Sequence, residues 1–314
     1  MRRMIAAILV PLAAAAALAG CSSSGTGSAT ANQSVKVSGK IGSAPTVKIP
    51  AEAPSTDLVT STLVRGTGPK LTASDSYLAN FAVYVWHGSS SKLVVSSFSS
   101  TPETLPVAMG LSGLQRALDG QRVGSRVLAV LPPKYGYGKS GNSQIHVTAN
   151  DTMVWVIDLI NAFPATASAS GKQVSSGGGA LPTVTLADGG VPQISIPKSA
   201  PPSKLVVKTL IQGTGAPVKA GQSIVVRYVG SIWSTGKVFS SNWPTATEPT
   251  APPNVFTLGQ LIPAWNTGLV GVPVGSRVML VVPPAEGYGA KGQSQAGIKG
   301  TDTLVFVVDI LATA

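Results

Sequence analysis

The chain has 314 residues, 44% of them hydrophobic and 11% charged, and its 23 Lys and Arg outnumber its 12 Asp and Glu. The basic residues stand singly, without the clusters and interleaved aromatics of a nucleic-acid surface, so no nucleic-acid partner is expected. Their surplus reads as solubility beside an anionic envelope, and the one cysteine, Cys21, rules out a disulfide framework.

Residues 1–20 read as a leader that is removed. Arg2 and Arg3 open it, an apolar run follows over residues 4–18, and Leu18-Ala19-Gly20-Cys21 closes it. That ending resembles the lipobox of bacterial lipoproteins, in which cleavage precedes the cysteine and the sulfur receives a diacylglyceryl group. The run is also shorter than the roughly 18–20 residues a membrane span needs. The resemblance implies lipidation of Cys21 and attachment by acyl chains to the extracytoplasmic face of the bacterial cell membrane. With Arg2 and Arg3 gone, 21 basic residues face 12 acidic ones, a mature charge of +9. Residues 21–39, dominated by Ser, Thr, Gly, Ala and Asn, read as a flexible tether.

Beyond the tether the chain is duplicated. VGSRVLAVLPPKYGYG at 123–138 and VGSRVMLVVPPAEGYG at 274–289 agree at 11 of 16 positions. Gly66-Thr67-Gly68 answers Gly213-Thr214-Gly215, Trp86 answers Trp233, and Asp158 answers Asp309. Each copy has the size of one small domain, 40–164 and 181–314, and the Ser- and Gly-rich stretch 165–180 reads as a linker that lets them reorient independently. In the second copy, 204–211, 223–230, 254–258, 276–282 and 303–311 are rich in Val, Ile, Leu and aromatics and bounded by Gly or Pro, which predicts strands. Residues 261–269 predict a short helix. The fold class is α+β, each copy an antiparallel sheet curled over one short α-helix. Leu258, Leu269, Val278, Leu280 and Val307 are candidates for the core on its concave face.

Seven blocks of the second copy, in order, carry a resemblance: Tyr228-Val229-Gly230, Gly236-Lys237-Val238-Phe239, Phe256-Thr257-Leu258-Gly259, Leu261-Ile262-Pro263-Ala264-Trp265, Gly275-Ser276-Arg277, Gly287-Tyr288-Gly289 and Leu304-Val305-Phe306. Together they resemble an FKBP-type peptidyl-prolyl cis-trans isomerase over residues 204–314, and more faintly over 57–163. The activity this implies is rotation about Xaa-Pro amide bonds, whose barrier of about 18–20 kcal/mol comes from lost resonance. Such a catalyst needs an apolar cavity and donors that favour the twisted amide, and neither a cofactor nor a metal is expected. The residues agree by subtraction. His87 and His146, the only histidines, both lie in the first copy, which excludes a Ser-His-Asp site in the second.

The resemblance implies a proline pocket with Trp265 as floor, Tyr228, Phe239, Ile298 and Phe306 as walls, and Leu261 and Ile262 on the rim. The backbone N–H of Ile262 and the hydroxyl of Tyr288 then meet substrate carbonyls. Where the family often has an aspartate after the wall phenylalanine stands Ser240, which brings no charge to the pocket, and Asn254 replaces the usual second aromatic before Phe256. Altered activity and weaker binding of macrolide inhibitors are expected. Residues 242–253, with four prolines, stand where the resemblance implies a loop beside the pocket, and that loop is expected to narrow the substrate range.

In the first copy the equivalents read as Phe81 for Tyr228, Val95 for Phe239, Leu114 for Trp265, Val147 for Ile298 and Trp155 for Phe306, with only Tyr137 matching Tyr288 in type. The glycine and proline punctuation survives while the site erodes, so the first copy is expected to fold as a spacer or docking surface. The leading function is an extracytoplasmic isomerase that acts on Xaa-Pro segments of exported proteins; the alternative is a holdase or proline-peptide-binding module without turnover.

Overall fold

The computed structural model describes residues 30–107, 110–187 and 190–314; the leader and Cys21 lie outside them. Among the described residues, no helix is long and apolar enough to cross a membrane. Each copy is an antiparallel sheet over one short helix. In the second, the order is Val238–Ser241, Ser223–Ile232, Leu304–Thr313, Arg277–Val282, Val206–Gln212 and Lys172–Gln173, with Asn254–Thr257 also pairing to Ser223–Ile232. The helix is Pro263–Gly268, opened by a proline at its first turn, where the missing N–H costs nothing. The first copy repeats the plan with Val59–Val64, Arg126–Leu131, Thr152–Phe163, Ser76–His87, Ser90–Ser96 and Glu103–Pro106, and the helix Ser112–Leu118.

The five strands read from the second copy are all present, and Leu258, Leu269, Val278 and Leu280 meet Trp265 in the core beneath the helix. Val307 does not. Side chains alternate along a strand, so Phe306 and Val308 face the helix while Val305 and Val307 face the opposite side, against Met279, Val281 and Val229.

That opposite face is also covered, which the apolar runs of Arg277–Val282 and Leu304–Thr313 require. A hairpin, Thr183–Leu186 with Pro192–Ser195, lays Val184 and Ile194 on it. In the first copy the hairpin Lys36–Ser38 with Thr46–Lys48 lays Val37 and Val47 over Trp86, Leu128, Val130 and Val154. The tether therefore does not run to Gly39: residues 31–34 already form a turn of 3-10 helix, and the buried Asn32 side chain bonds Ser55 and Asp57. Of its described residues, 31–34 form that turn and 36–38 the first strand of the hairpin.

The linker is likewise built into the second sheet. Ser170 and Gly171 donate to the carbonyl of Gly275, Lys172–Gln173 pairs with Val206–Gln212, and Val174 donates to Leu210. A Cβ at Gly171 would lie 1.8 Å from the carbonyl oxygen of Gln212, so only glycine permits this approach. Leu78 and Phe163 of the first copy pack with Val225 and Ala312 of the second, and the Thr104 hydroxyl donates to the carbonyl of Pro253. The two copies are docked, and the expectation of free reorientation fails because the Ser/Gly composition supplies close backbone contact.

A buried ion pair recurs in each copy. Arg126 donates to Asp158 at 2.6 and 2.7 Å, and Arg277 to Asp309 at 2.6 and 2.7 Å. Both pairs lie within the duplicated frame, and each ties a covering segment to the sheet. Arg126 also donates to the carbonyls of Gly39, Lys40 and Ser43 in the hairpin turn, while Asp309 accepts from the backbone N–H of Ala169.

Candidate active site

On the helix side of the second sheet a cavity of about 380 Å³ opens between the strands and the helix. Trp265, from the helix, is 4% exposed and sits edge-on to three rings: Tyr228 at 5.6 Å, Phe256 at 5.6 Å and Phe306 at 5.5 Å between centroids. Phe239 meets Phe306 edge-on at 5.5 Å. Such perpendicular pairs present the edge of one ring to the face of the next and hold the aromatic box rigid.

The strand register explains the box. Gly230 lies opposite Phe306, two residues from Tyr228 on the same face. A Cβ at Gly230 would come within 2.7 Å of the Phe239 ring and 3.0 Å of the Phe306 ring, so the missing side chain is what lets the two rings meet. The polar part is small. The Tyr228 and Ser240 hydroxyls are hydrogen-bonded at 2.8 Å. Tyr288, flanked by Gly287 and Gly289, is 37% exposed at the mouth, and burial, followed by the neighbouring Tyr228, pushes its phenol pKa up. The hydroxyl therefore stays protonated, a donor, beyond its ordinary titration range near 10.

Of the residues expected from the sequence, the cavity is lined by Tyr228, Phe239, Ser240, Leu261, Ile262, Trp265, Tyr288 and Phe306. Ile298 is not on the wall: it is 4% exposed within the core, and Ala296 lines the cavity from the same turn. Phe256 and Gln260 also line it. Phe256 was legible as part of a matched block, but its role needs the pairing of Asn254–Thr257 with Ser223–Ile232.

The same register tests the equivalents in the first copy. Phe81 lies opposite Ile157 as Tyr228 lies opposite Val308, and Trp155 opposite Val83 as Phe306 opposite Gly230. Val95 is not the counterpart of Phe239. Val83 pairs with Val95 as Gly230 pairs with Ser240, and the bulge residue in each strand is Val94 and Phe239. Val95 thus stands at the place of Ser240, and a bulged strand cannot be aligned by counting. Phe81, Val83, Leu114, Val147 and Trp155 are all buried in one apolar cluster, with Tyr137 packed against it. Val83 fills the space Gly230 leaves open.

Both copies match one protein family in sequence. Residues 74–160 and 215–311 match the FKBP-type peptidyl-prolyl cis-trans isomerase family. An FK506-binding protein of Streptomyces anulatus is 37% identical over 123 residues, 38% of this chain and 95% of the relative. A probable FK506-binding protein of Corynebacterium glutamicum is 36% identical over 121 residues, 38% of this chain and 97% of the relative. Among solved structures, a peptidyl-prolyl cis-trans isomerase of Pseudomonas syringae aligns at 29% identity and a TM-score of 0.31, over 42% of this chain and 80% of that one. With one matched segment on each sheet, and the two spanning more than half of its length, this chain belongs to the FKBP-type peptidyl-prolyl cis-trans isomerase family.

Proposed function

We propose that the second copy carries the isomerase activity and that the chain works on Xaa-Pro segments of exported proteins at the extracytoplasmic face of the cell membrane, held there by lipid on Cys21. The observation that carries the assignment to the second copy is the aromatic cavity around Trp265, which the first copy fills with Val83, Leu114 and its neighbours. The proline ring stacks over Trp265 between Tyr228, Phe239 and Phe306. The backbone N–H of Ile262 and the hydroxyl of Tyr288 hold the carbonyls on either side of the turning bond. No bond forms or breaks. The cavity favours the twisted amide by excluding water and by donors already in place, so less of the 18–20 kcal/mol barrier remains, on the order of several kcal/mol being supplied by the site. The Tyr228–Ser240 hydrogen bond orients the phenol without a charge, and macrolide inhibitors that use a carboxylate at that place bind more weakly.

Exchange NMR on an Xaa-Pro peptide tests the reading with the full chain. Tyr288→Phe removes one donor, and the rate is expected to fall about fivefold, the equivalent of about 1 kcal/mol. The rate of the parent is expected to be flat from about pH 6 to about 9 and to fall only when the raised Tyr288 phenol ionises. A rate that halves between about pH 6 and 8 points to a histidine or carboxylate in the step and overturns the mechanism. Peptide binding without any acceleration replaces it with the holdase reading. Attachment is checked separately by mass spectrometry of the mature chain: its first peptide is expected to begin at Cys21 and to carry the added mass of acyl chains, and a first peptide without that mass refutes lipid on Cys21.

A further inference from the structure

One fully buried arginine belongs to the second copy alone. Arg227, on the strand Ser223–Ile232, is 0% exposed. Its Nη1 donates to the carbonyl of Asn242 at 2.5 Å, its Nη2 to the carbonyl of Ala251 at 2.8 Å, and the Trp243 ring lies 5.9 Å from its guanidinium carbon. Its Nε has no partner among the described residues, and none of their ion pairs includes it. Burial lowers its pKa to about 10, opposed by the charge of Asp309. It stays a cation at neutral pH, in a place where a cation is costly.

What the arginine holds is also particular to this copy. Ala82 pairs with Ser96 as Val229 pairs with Ser241, and Ala79 with Glu103 as Val226 with Asn254. Between these matched points the first copy has six residues, 97–102, and the second has twelve, 242–253. Where the second copy has Arg227 opposite Asp309, the first has Asn80 opposite Asp158. The longer loop and the buried arginine occur together. Both ends of the loop run into the cavity wall, at Phe239 and Ser240 on one side and at Phe256 on the other. Between them stands Asn242, whose Oδ1 accepts the Tyr228 N–H at 2.7 Å and whose Nδ2 donates to the Val226 carbonyl at 2.8 Å and to Asn254 Oδ1 at 2.9 Å.

We propose that Arg227 is a positioning residue that clamps the 242–253 loop onto the sheet, and that through Asn242 it sets the spacing of Tyr228, Ser240 and Phe256 and so the Xaa-Pro segments this site accepts. The part about substrate rests on the second copy being the catalytic one; the clamp itself does not. The test uses the full chain, hydrogen exchange at the Tyr228 amide and turnover of an Xaa-Pro peptide. Arg227→Asn, which installs the residue type of the first copy, is expected to speed exchange of the Tyr228 amide about tenfold or more. KM is expected to rise about 5–10-fold while kcat stays within about twofold, because the Trp265 floor is untouched. Unchanged amide exchange and KM overturn the proposal. If Arg227→Asn fails to fold, the variant that also deletes residues 245–250, leaving a loop of six, decides. Recovery of folding with a raised KM supports the clamp, whereas failure of both shows that Arg227 serves the buried charge of Asp309 alone and overturns it. A parent chain without turnover removes the catalytic assignment and leaves the amide exchange to judge the clamp.

Discussion

Asp309→Ala is expected to lower the stability of the second copy by about 3–5 kcal/mol, because it strands charge in a place water does not reach. Asp309 is 0% exposed, Arg277 4% and Arg227 0%. The carboxylate accepts from Arg277 Nε at 2.6 Å and Nη2 at 2.7 Å and from the Ala169 backbone at 2.8 Å. It is also the charge that eases the burial of Arg227. Without it two guanidinium groups share a dry site, and the linker loses one of its bonds to the sheet, from the Ala169 backbone. Asp158→Ala in the first copy is expected to cost about 1–2 kcal/mol less, since among the described residues Arg126 is the only arginine at that carboxylate and keeps the carbonyls of Gly39, Lys40 and Ser43 as acceptors. Urea unfolding followed by tryptophan fluorescence measures both. A loss below about 1 kcal/mol for Asp309→Ala would mean that the pair is hydrated and behaves as a surface bridge.

Much of this architecture is legible in the residues because the duplication prints it twice. Gly-Ser-Arg before an apolar strand, Pro-Pro after it and Gly-Tyr-Gly beyond mark the same turns in each copy. The aromatic types at 228, 239, 265 and 306 suffice to name the box. What eluded the sequence shares one physical cause: it depends on pairing between distant strands. The face of Val307 follows from alternation only once Phe306 is placed. The match of Val94 to Phe239 needs the bulge. The hairpins at 36–48 and 183–195 are short, with Gly-rich turns, and their composition is that of a tether; only the apolar back of the sheet shows why Val37 and Val184 have to be there. Arg227 reads as one basic residue among many, and nothing local says that it points into a loop fifteen residues away.

Trp265→Leu, which copies Leu114, is expected to slow isomerisation about 30–150-fold, the equivalent of about 2–3 kcal/mol of transition-state binding. The indole is the one surface in the cavity that touches three other rings, so its loss removes the stacking plane for the proline and the support that keeps Tyr228, Phe256 and Phe306 perpendicular to it. The fold is expected to persist at a cost of about 2–4 kcal/mol, since leucine leaves part of a 4%-exposed site unfilled. Exchange NMR with thermal unfolding on the same sample separates the two effects: a rate that falls only in step with the folded fraction would make Trp265 a packing residue. The reverse change, Leu114→Trp, is expected to restore nothing. Leu114 is 0% exposed and Val83 is 1% exposed, so a larger ring overpacks the first copy by about 1–3 kcal/mol, and the room at Gly230 in which Phe239 and Phe306 meet has no counterpart there. Acceleration by that variant in a chain that also carries Trp265→Leu would show that a floor alone makes the site, and that the glycine opposite Phe306 is dispensable.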